Sequence, residues 1–359
     1  MEFPRPGIRS LTRGAFVPVR ARAPLRIGLA GGGTDLSPFT DTHGGCVLNA
    51  TVNLYAYAHI LPREDGRLVF EAAETGERFE GAADEPIPDG EAARLHRGVH
   101  ASIVRRFLGG KPLAVTVRTT VDVPAGSGMG GSSALVVALI AAYQEYLGLS
   151  LGEYDLARLA FEIERIELGL AGGRQDQYAA AFGGFNFIEF HAGERVIVNP
   201  LRVRPPLVKE LEASLVLYYT GRSRSSAAII EKQQANMQQG SSAAIEALLR
   251  LKAEAVTMKE AILTGDLRLA AETINRGWEA KKATAEGISS SEIERVLELA
   301  LANRALAGKV SGAGGGGFLM VMADPFDRQR VLDVLAQQPG RVLPCTFSAE
   351  GAEAWRARL

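Results

Sequence analysis

Cysteine is nearly missing from this sequence. Two thiols, Cys46 and Cys345, stand in 359 residues, far apart and matching no zinc spacing. A disulfide framework is therefore not expected, and a reduced, cytoplasmic setting is. An excess of either charge is missing too: 40 Lys and Arg oppose 41 Asp and Glu, for a net charge of −1. Such a balance gives no electrostatic reason to expect nucleic acid or an anionic membrane as partner. Long apolar runs are absent as well. The longest, Ala134 to Tyr143, is about half of what a membrane span needs. Residues 1–22 are arginine-rich without an apolar core, so no secretory signal is expected, and residues 1–20 read as a loose lead-in. The histidines form no ligand pattern. His96 and His100 sit at i, i+4 without a flanking acid and read as one face of a helix.

What remains is an ordinary apolar-rich chain, long enough for two joined domains, with a high glycine content. "LRIGLA" (25–30) and "CVLNATVNLYAYAHIL" (46–61) read as strands, followed by short strands in "RLVFEA" and "ERFEG". A helix is expected over 91–108, a strand over 113–119, helices over 132–147 and 153–168, and strands near 184–190 and 195–199. From 225 to 303 the texture is helical, punctuated by Gly240, Gly265 and Gly287. "KVSGAGGGGFLMVM" (309–322) then reads as strand, loop, strand, ahead of a final helix-strand-helix segment. Strands mixed with helices that do not alternate regularly predict an α+β fold, with a domain boundary near 200–206.

The most informative stretch is "VPAGSGMGGSSA" (123–134). A strand, a glycine-rich turn and then Ser132 and Ser133 at the head of an apolar helix expose unpaired backbone N–H groups. The helix dipole adds positive potential at that point. Phosphate fills such a site, and the glycines let it approach the backbone. A plain N-cap and turn would need one serine and one glycine, far fewer than stand here. No lysine precedes the serines, so this is not a Walker A loop. Gly126, Gly128 and Gly131 satisfy G-x-G-x-x-G, but so do Gly312, Gly314 and Gly317, and a second helix follows where a dinucleotide unit needs a parallel strand. A dehydrogenase is thus a weak alternative.

"PAGSGMGGSSA" resembles the central phosphate loop of the GHMP kinases, the superfamily of galactokinase, homoserine, mevalonate and phosphomevalonate kinases. "RAPLRIGLAGGGTD" (22–35) resembles the family's N-terminal motif and "KVSGAGGGGFLMVM" its C-terminal glycine-rich motif, in the family order. The resemblance implies a ribosomal S5-like N-terminal domain (21–203), a ferredoxin-like helical C-terminal domain (204–359) and an active site in the cleft between them. It also implies ATP and Mg²⁺ as cofactors and small-molecule partners, without nucleic acid or membrane, for a monomer or homodimer. Within the superfamily, "GGGTDLSPF" followed by "GGCVLNATVN" looks most like the D-glycero-D-manno-heptose 7-phosphate kinases of bacterial surface-polysaccharide synthesis.

Site residues follow from the same resemblance. Pro124, Gly126, Ser127, Gly128, Met129, Gly130, Gly131, Ser132 and Ser133 would hold the nucleotide phosphates. Gly32, Gly33, Thr34 and Asp35 would hold sugar hydroxyls, with Gly314 and Gly315 completing the substrate side. In "EIERIELGLAGGRQDQYAAAFGG" (162–184), Glu164 is the expected metal carboxylate beside Ser132, with Glu167 its substitute, and Asp176 is the catalytic carboxylate. Arg26 stands where many members place a basic residue close to that aspartate. Arg224 and Lys282 are expected to anchor a substrate phosphate, with Lys281 offered beside Lys282 by the same stretch, "WEAKKAT" (278–284). The reading is an ATP-dependent kinase of the anomeric hydroxyl of the heptose 7-phosphate. Another sugar 1-kinase, acting on galactose or fucose, is the nearer alternative, and a catalytically silent ATP- and sugar-binding sensor the more distant one.

Overall fold

The computed structural model describes residues 17–88, 90, 93–222 and 226–357. Most of the lead-in and the Arg224 position lie outside the described residues. The chain runs β1 (Val19–Ala30), α1 (Phe39–His43), β2 (Gly45–Pro62), β3 (Arg67–Ala72), β4 (Glu77–Ala82), α2 (Arg94–Phe107) and β5 (Val115–Val121). It continues with α3 (Gly131–Leu147), α4 (Glu153–Phe161), a π-helical turn (Glu162–Glu167), α5 (Gln175–Phe182), β6 (Phe185–Phe190) and β7 (Val196–Pro200). The second half comprises α6 (Pro205–Ser214), β8 (Leu215–Tyr219), α7 (Ser226–Gln238), α8 (Ser242–Thr264), α9 (Leu267–Lys282), α10 (Ser291–Ala302), β9 (Ala305–Val310), β10 (Phe318–Ala323), α11 (Arg328–Ala336), β11 (Arg341–Leu343) and β12 (Glu353–Arg356).

Two sheets organise these elements. The first has the order β12-β1-β2-β5-β3-β4, with β6 also on β2 and β7 on β6. β1 tolerates Pro24 because the register shifts between Pro24 and Leu25, a bulge that removes the need for a proline N–H in the ladder. α3 lies at the centre of this half, packed on β1 and β2, and is buried from Ser133 to Tyr143. A helix buried all round must be apolar all round, which accounts for "ALVVALIAAY". Its first turn is therefore held on β1 and β2 directly after the glycine-rich loop.

The second sheet is antiparallel, with the order β11-β8-β10-β9. Numbered within this half, the strands run 4-1-3-2, the ferredoxin-like order the resemblance implied. Ser241, Asp266 and Ser290 cap α8, α9 and α10 through side-chain hydrogen bonds, which is why the helical stretch breaks where it does. The final segment differs from expectation. In place of the expected last helix, Glu353–Arg356 forms β12, which pairs with β1 of the first sheet, and Phe347 bridges Val52. The chain end thus returns to the first half and ties the two together.

Candidate active site

The two halves enclose a cleft of about 600 Å³, and the three glycine-rich motifs meet around it. In the phosphate loop Gly126, Gly128 and Gly130 all have positive φ (70°, 82° and 73°), and α3 starts directly after Gly130 with no side-chain cap. The N–H groups of the first turn are left for a ligand. Gly128 also has a packing reason: a Cβ there would run into the Ser311 carbonyl. Gly312 and Gly317 approach the backbone of Gly128 and Ser127 in return, and the Phe318 amide donates to the Ser127 carbonyl at 3.0 Å. The central and last glycine motifs are therefore interlocked main chain to main chain across the two halves.

Arg26 and Asp176, the expected basic residue and catalytic carboxylate, pair in the cleft. Arg26 is 4% exposed on β1. Its Nε and a terminal nitrogen donate to Asp176 Oδ1 at 2.7 and 2.6 Å, and its other terminal nitrogen donates to the Gly128 carbonyl at 2.8 Å. One guanidinium thus ties the carboxylate to the phosphate loop. Asp176, in the first turn of α5, keeps 22% of its side chain exposed to the cleft. Gly130 is close by: a Cβ there would lie 3.2 Å from the Asp176 carboxyl carbon.

Glu164 is fully buried and stands behind Ser132. The hydroxyls of Ser132 and Ser133 donate to its two oxygens at 2.9 and 2.7 Å, and Gln177 Nε2 adds a bond of 2.7 Å. The π-helical turn produces this placement. Its wider winding, with the Leu168 amide reaching the Ile163 carbonyl, turns Glu164 inward and Glu162 and Glu167 outward. Glu167 instead meets Arg105 and Arg106, and Glu162 meets Arg106 and Arg158. Of the two candidates, Glu164 is the one beside the loop.

Asp35 is 3% exposed and also lines the cleft. It accepts from the Gly33 amide at 3.2 Å, and from the Gln175 amide and Nε2 at 3.2 and 3.0 Å. Gly173 permits this approach, since a Cβ there would overlap Asp35 Oδ2. Gln175, next to the expected catalytic carboxylate Asp176, thus braces the expected sugar-binding one.

Several expected residues stand elsewhere. Thr34 lies outside the cleft; its hydroxyl donates to the Gly31 and Cys46 carbonyls and accepts from the Cys46 amide, clipping the loop to β2. Met129 is buried in the core, and Ser133 is buried with its hydroxyl on Glu164, so neither side chain reaches the cleft. Gly314 and Gly315 pack on Ile288, while Gly312 and Ala313 line the cleft. Gly32 faces a small neighbouring cavity and offers its carbonyl to Lys281. Lys282 points away, paired with Glu279 and Glu294, and Lys281 lines the cleft instead. His96 and His100 are buried, bonded to Thr119 and to the Tyr143 hydroxyl, and burial pushes both down to about 4.

Sequence reading missed Arg165, whose guanidinium spans the carbonyls of Leu170, Ala171 and Gly173 and shapes the loop before Asp176. Its position beside Glu164 was the available signal. Glu74 and Thr75, on the turn after β3, line the far end of the cleft with no sequence cue at all.

Comparison with known proteins agrees with this geometry. Family profiles described as the GHMP kinases N terminal domain and the GHMP kinases C terminal match residues 94–184 and 258–341. The chain is 43% identical, over 94% of its length and 99% of the relative's, to a D-glycero-alpha-D-manno-heptose 7-phosphate kinase of Campylobacter jejuni. A crystal structure of a D-glycero-D-manno-heptose 1-phosphate kinase from Bacteriodes thetaiotaomicron superposes with a TM-score of 0.81 at 40% identity, covering 95% of this chain and all of that one (100%). Lactococcus lactis galactokinase complexed with galactose shares the fold at a TM-score of 0.72 and 19% identity, covering 94% of this chain and 95% of that one. With two interlocked glycine motifs, an Arg26–Asp176 pair at the loop and these relatives, the chain belongs to the GHMP kinase family.

Proposed function

We propose that this kinase transfers the γ-phosphoryl group of ATP to the anomeric C1 hydroxyl of D-glycero-D-manno-heptose 7-phosphate, giving the 1,7-bisphosphate. The product would feed the synthesis of a bacterial surface polysaccharide. The observation that carries the reading is the convergence, in one cleft, of the phosphate loop, the Arg26–Asp176 pair and the braced carboxylate of Asp35. A heptose phosphate is favoured over galactose because two relatives, at 43% and 40% identity, are named for a heptose phosphate.

The chain's own groups suffice for most of the chemistry. The loop amides and the α3 dipole hold the polyphosphate. Asp176 accepts, or orients by hydrogen bond, the proton of the attacking hydroxyl. Both Arg26 bonds to Asp176 fall on Oδ1, and no described donor occupies Oδ2, which leaves that oxygen for the acceptor. Arg26 offsets charge that builds on the transferred group. Asp35 accepts from sugar hydroxyls and fixes the ring so that C1 faces the loop.

The donor set also fits Mg²⁺. Ser132 and Glu164 supply hard oxygens beside the loop, and among the described residues no three His, Cys, Asp or Glu side chains form a complete cage. A magnesium ion commonly keeps water and phosphate oxygens and needs only one or two protein ligands. Ser132 and Glu164 would hold the ion, which would supply positive charge to offset that of the phosphates. A coupled ADP-release assay across sugars and sugar phosphates tests the reading. Heptose 7-phosphate should give the highest kcat/KM, and a clear preference for an unphosphorylated hexose would overturn it.

A further inference from the structure

We propose that Lys281 is the anchor for the phosphate carried by the acceptor, an inference that rests on the heptose-phosphate reading above. Lys281 is 7% exposed, in the last turn of α9, and its ammonium lines the cleft beside Gly33 and Asp35. It donates one hydrogen bond, to the Gly32 carbonyl at 3.1 Å, and among the described residues no carboxylate lies within ion-pair distance of Nζ. A buried ammonium without a counter-ion is costly unless a ligand brings the charge.

The surroundings enlarge that demand. Lys309, on β9, sits behind Lys281 around a small shared cavity and spends its ammonium on the Leu29 carbonyl at 3.1 Å. Burial lowers both lysines, Lys281 to about 8 and Lys309 to about 7, with Arg26 pushing each further down and Asp35 partly opposing the effect at Lys281. Asp176 already takes up the charge of Arg26. Lys281 therefore faces the cleft with Asp35 as the nearby carboxylate, itself already engaged by Gly33 and Gln175, and a phosphate would supply the missing negative charge. Gly33 is shaped to admit the ammonium: its φ is +103°, and a Cβ there would lie 2.8 Å from Nζ. Asp35 would then read hydroxyls while Lys281 reads the phosphate.

The test compares wild type with Lys281→Met, which removes the charge and keeps the bulk, and with Gly33→Ala, which displaces the ammonium. The first measurement is the ratio of kcat/KM for heptose 7-phosphate to that for unphosphorylated heptose. It should fall roughly ten- to hundredfold, the range for losing a charge-assisted hydrogen bond, with KM for ATP within about threefold of wild type. The second is thermal protection by inorganic phosphate with the loop filled by a non-hydrolysable ATP analogue, expected in wild type and lost in both variants. An unchanged ratio, or a loss borne by KM for ATP, overturns the proposal. If wild type shows no preference for the phosphorylated heptose, the functional reading fails, and the protection measurement decides Lys281 by itself: protection that persists in Lys281→Met overturns it.

Discussion

Asp176→Asn isolates the chemistry from the binding. The amide keeps the size of the carboxylate, and its oxygen can still accept from Arg26, which donates twice to Oδ1 at 2.6–2.7 Å. What disappears is the negative charge and the ability to take a proton. General-base assistance is worth about 10²–10⁴-fold, or roughly 3–5 kcal/mol of barrier at about 1.36 kcal/mol per decade. Phosphoryl transfer is commonly loose, so part of that loss comes from a misoriented hydroxyl rather than from basicity. Nucleotide affinity should hold, because the loop amides and the Ser132–Glu164 pair are untouched. Arg26 remains hydrogen-bonded to the Gly128 carbonyl, so the loop keeps its strut. The assay is steady-state turnover at saturating ATP and acceptor, paired with calorimetric nucleotide binding. Turnover above about a tenth of wild type would refute the role given to Asp176, because general-base losses are seldom so small.

Glu164→Gln should raise the Mg²⁺ concentration needed for half-maximal rate by at least about tenfold, whereas Glu167→Gln, which loses partly exposed pairs with Arg105 and Arg106, should stay near wild type in a Mg²⁺ titration. Gly173→Ala forces a methyl group onto Asp35 Oδ2 and should raise the acceptor KM about tenfold or more while leaving the ATP KM unchanged. Lys281 adds a pH dependence. Its folded-state value, about 8, lies below the ordinary 10.5, so the unfolded chain binds more protons between those limits and stability contributed by this group rises with pH across that window. Lys281→Met should therefore melt higher than wild type at pH 7, with the gap narrowing above pH 8. Asp35, Arg26 and Lys309 are the charged groups around it, and a variant melting below wild type at pH 7 would contradict the argument.

How much of this is legible in the sequence depends on whether a feature is local. β2 and α3 match the expected spans within a residue or so, since a long β-branched strand and an all-apolar helix carry their own signals. Arg26, Asp176 and Asp35 stand out through ordered motifs. The inward turn of Glu164 is invisible in the sequence, even though the motif points to the residue, because a π-helical turn changes the helical phase without a mark in composition. Lys281 and Lys282 differ by one step of about 100° on the same helix, and only packing against the Gly33 loop decides which faces the cleft. β12 is unreadable for a different reason: four residues without apolar alternation become a strand only because β1, more than 300 positions earlier, offers an edge.

Mapping the product tests the central claim most directly. Wild-type protein is incubated with ATP, Mg²⁺ and D-glycero-D-manno-heptose 7-phosphate, and the product is examined by two-dimensional ¹H–³¹P NMR. The account predicts a second phosphorus resonance coupled to the anomeric H1, with the 7-phosphate signal retained. A new phosphate coupled to any other ring proton, or ADP released without a second sugar phosphate, would contradict it.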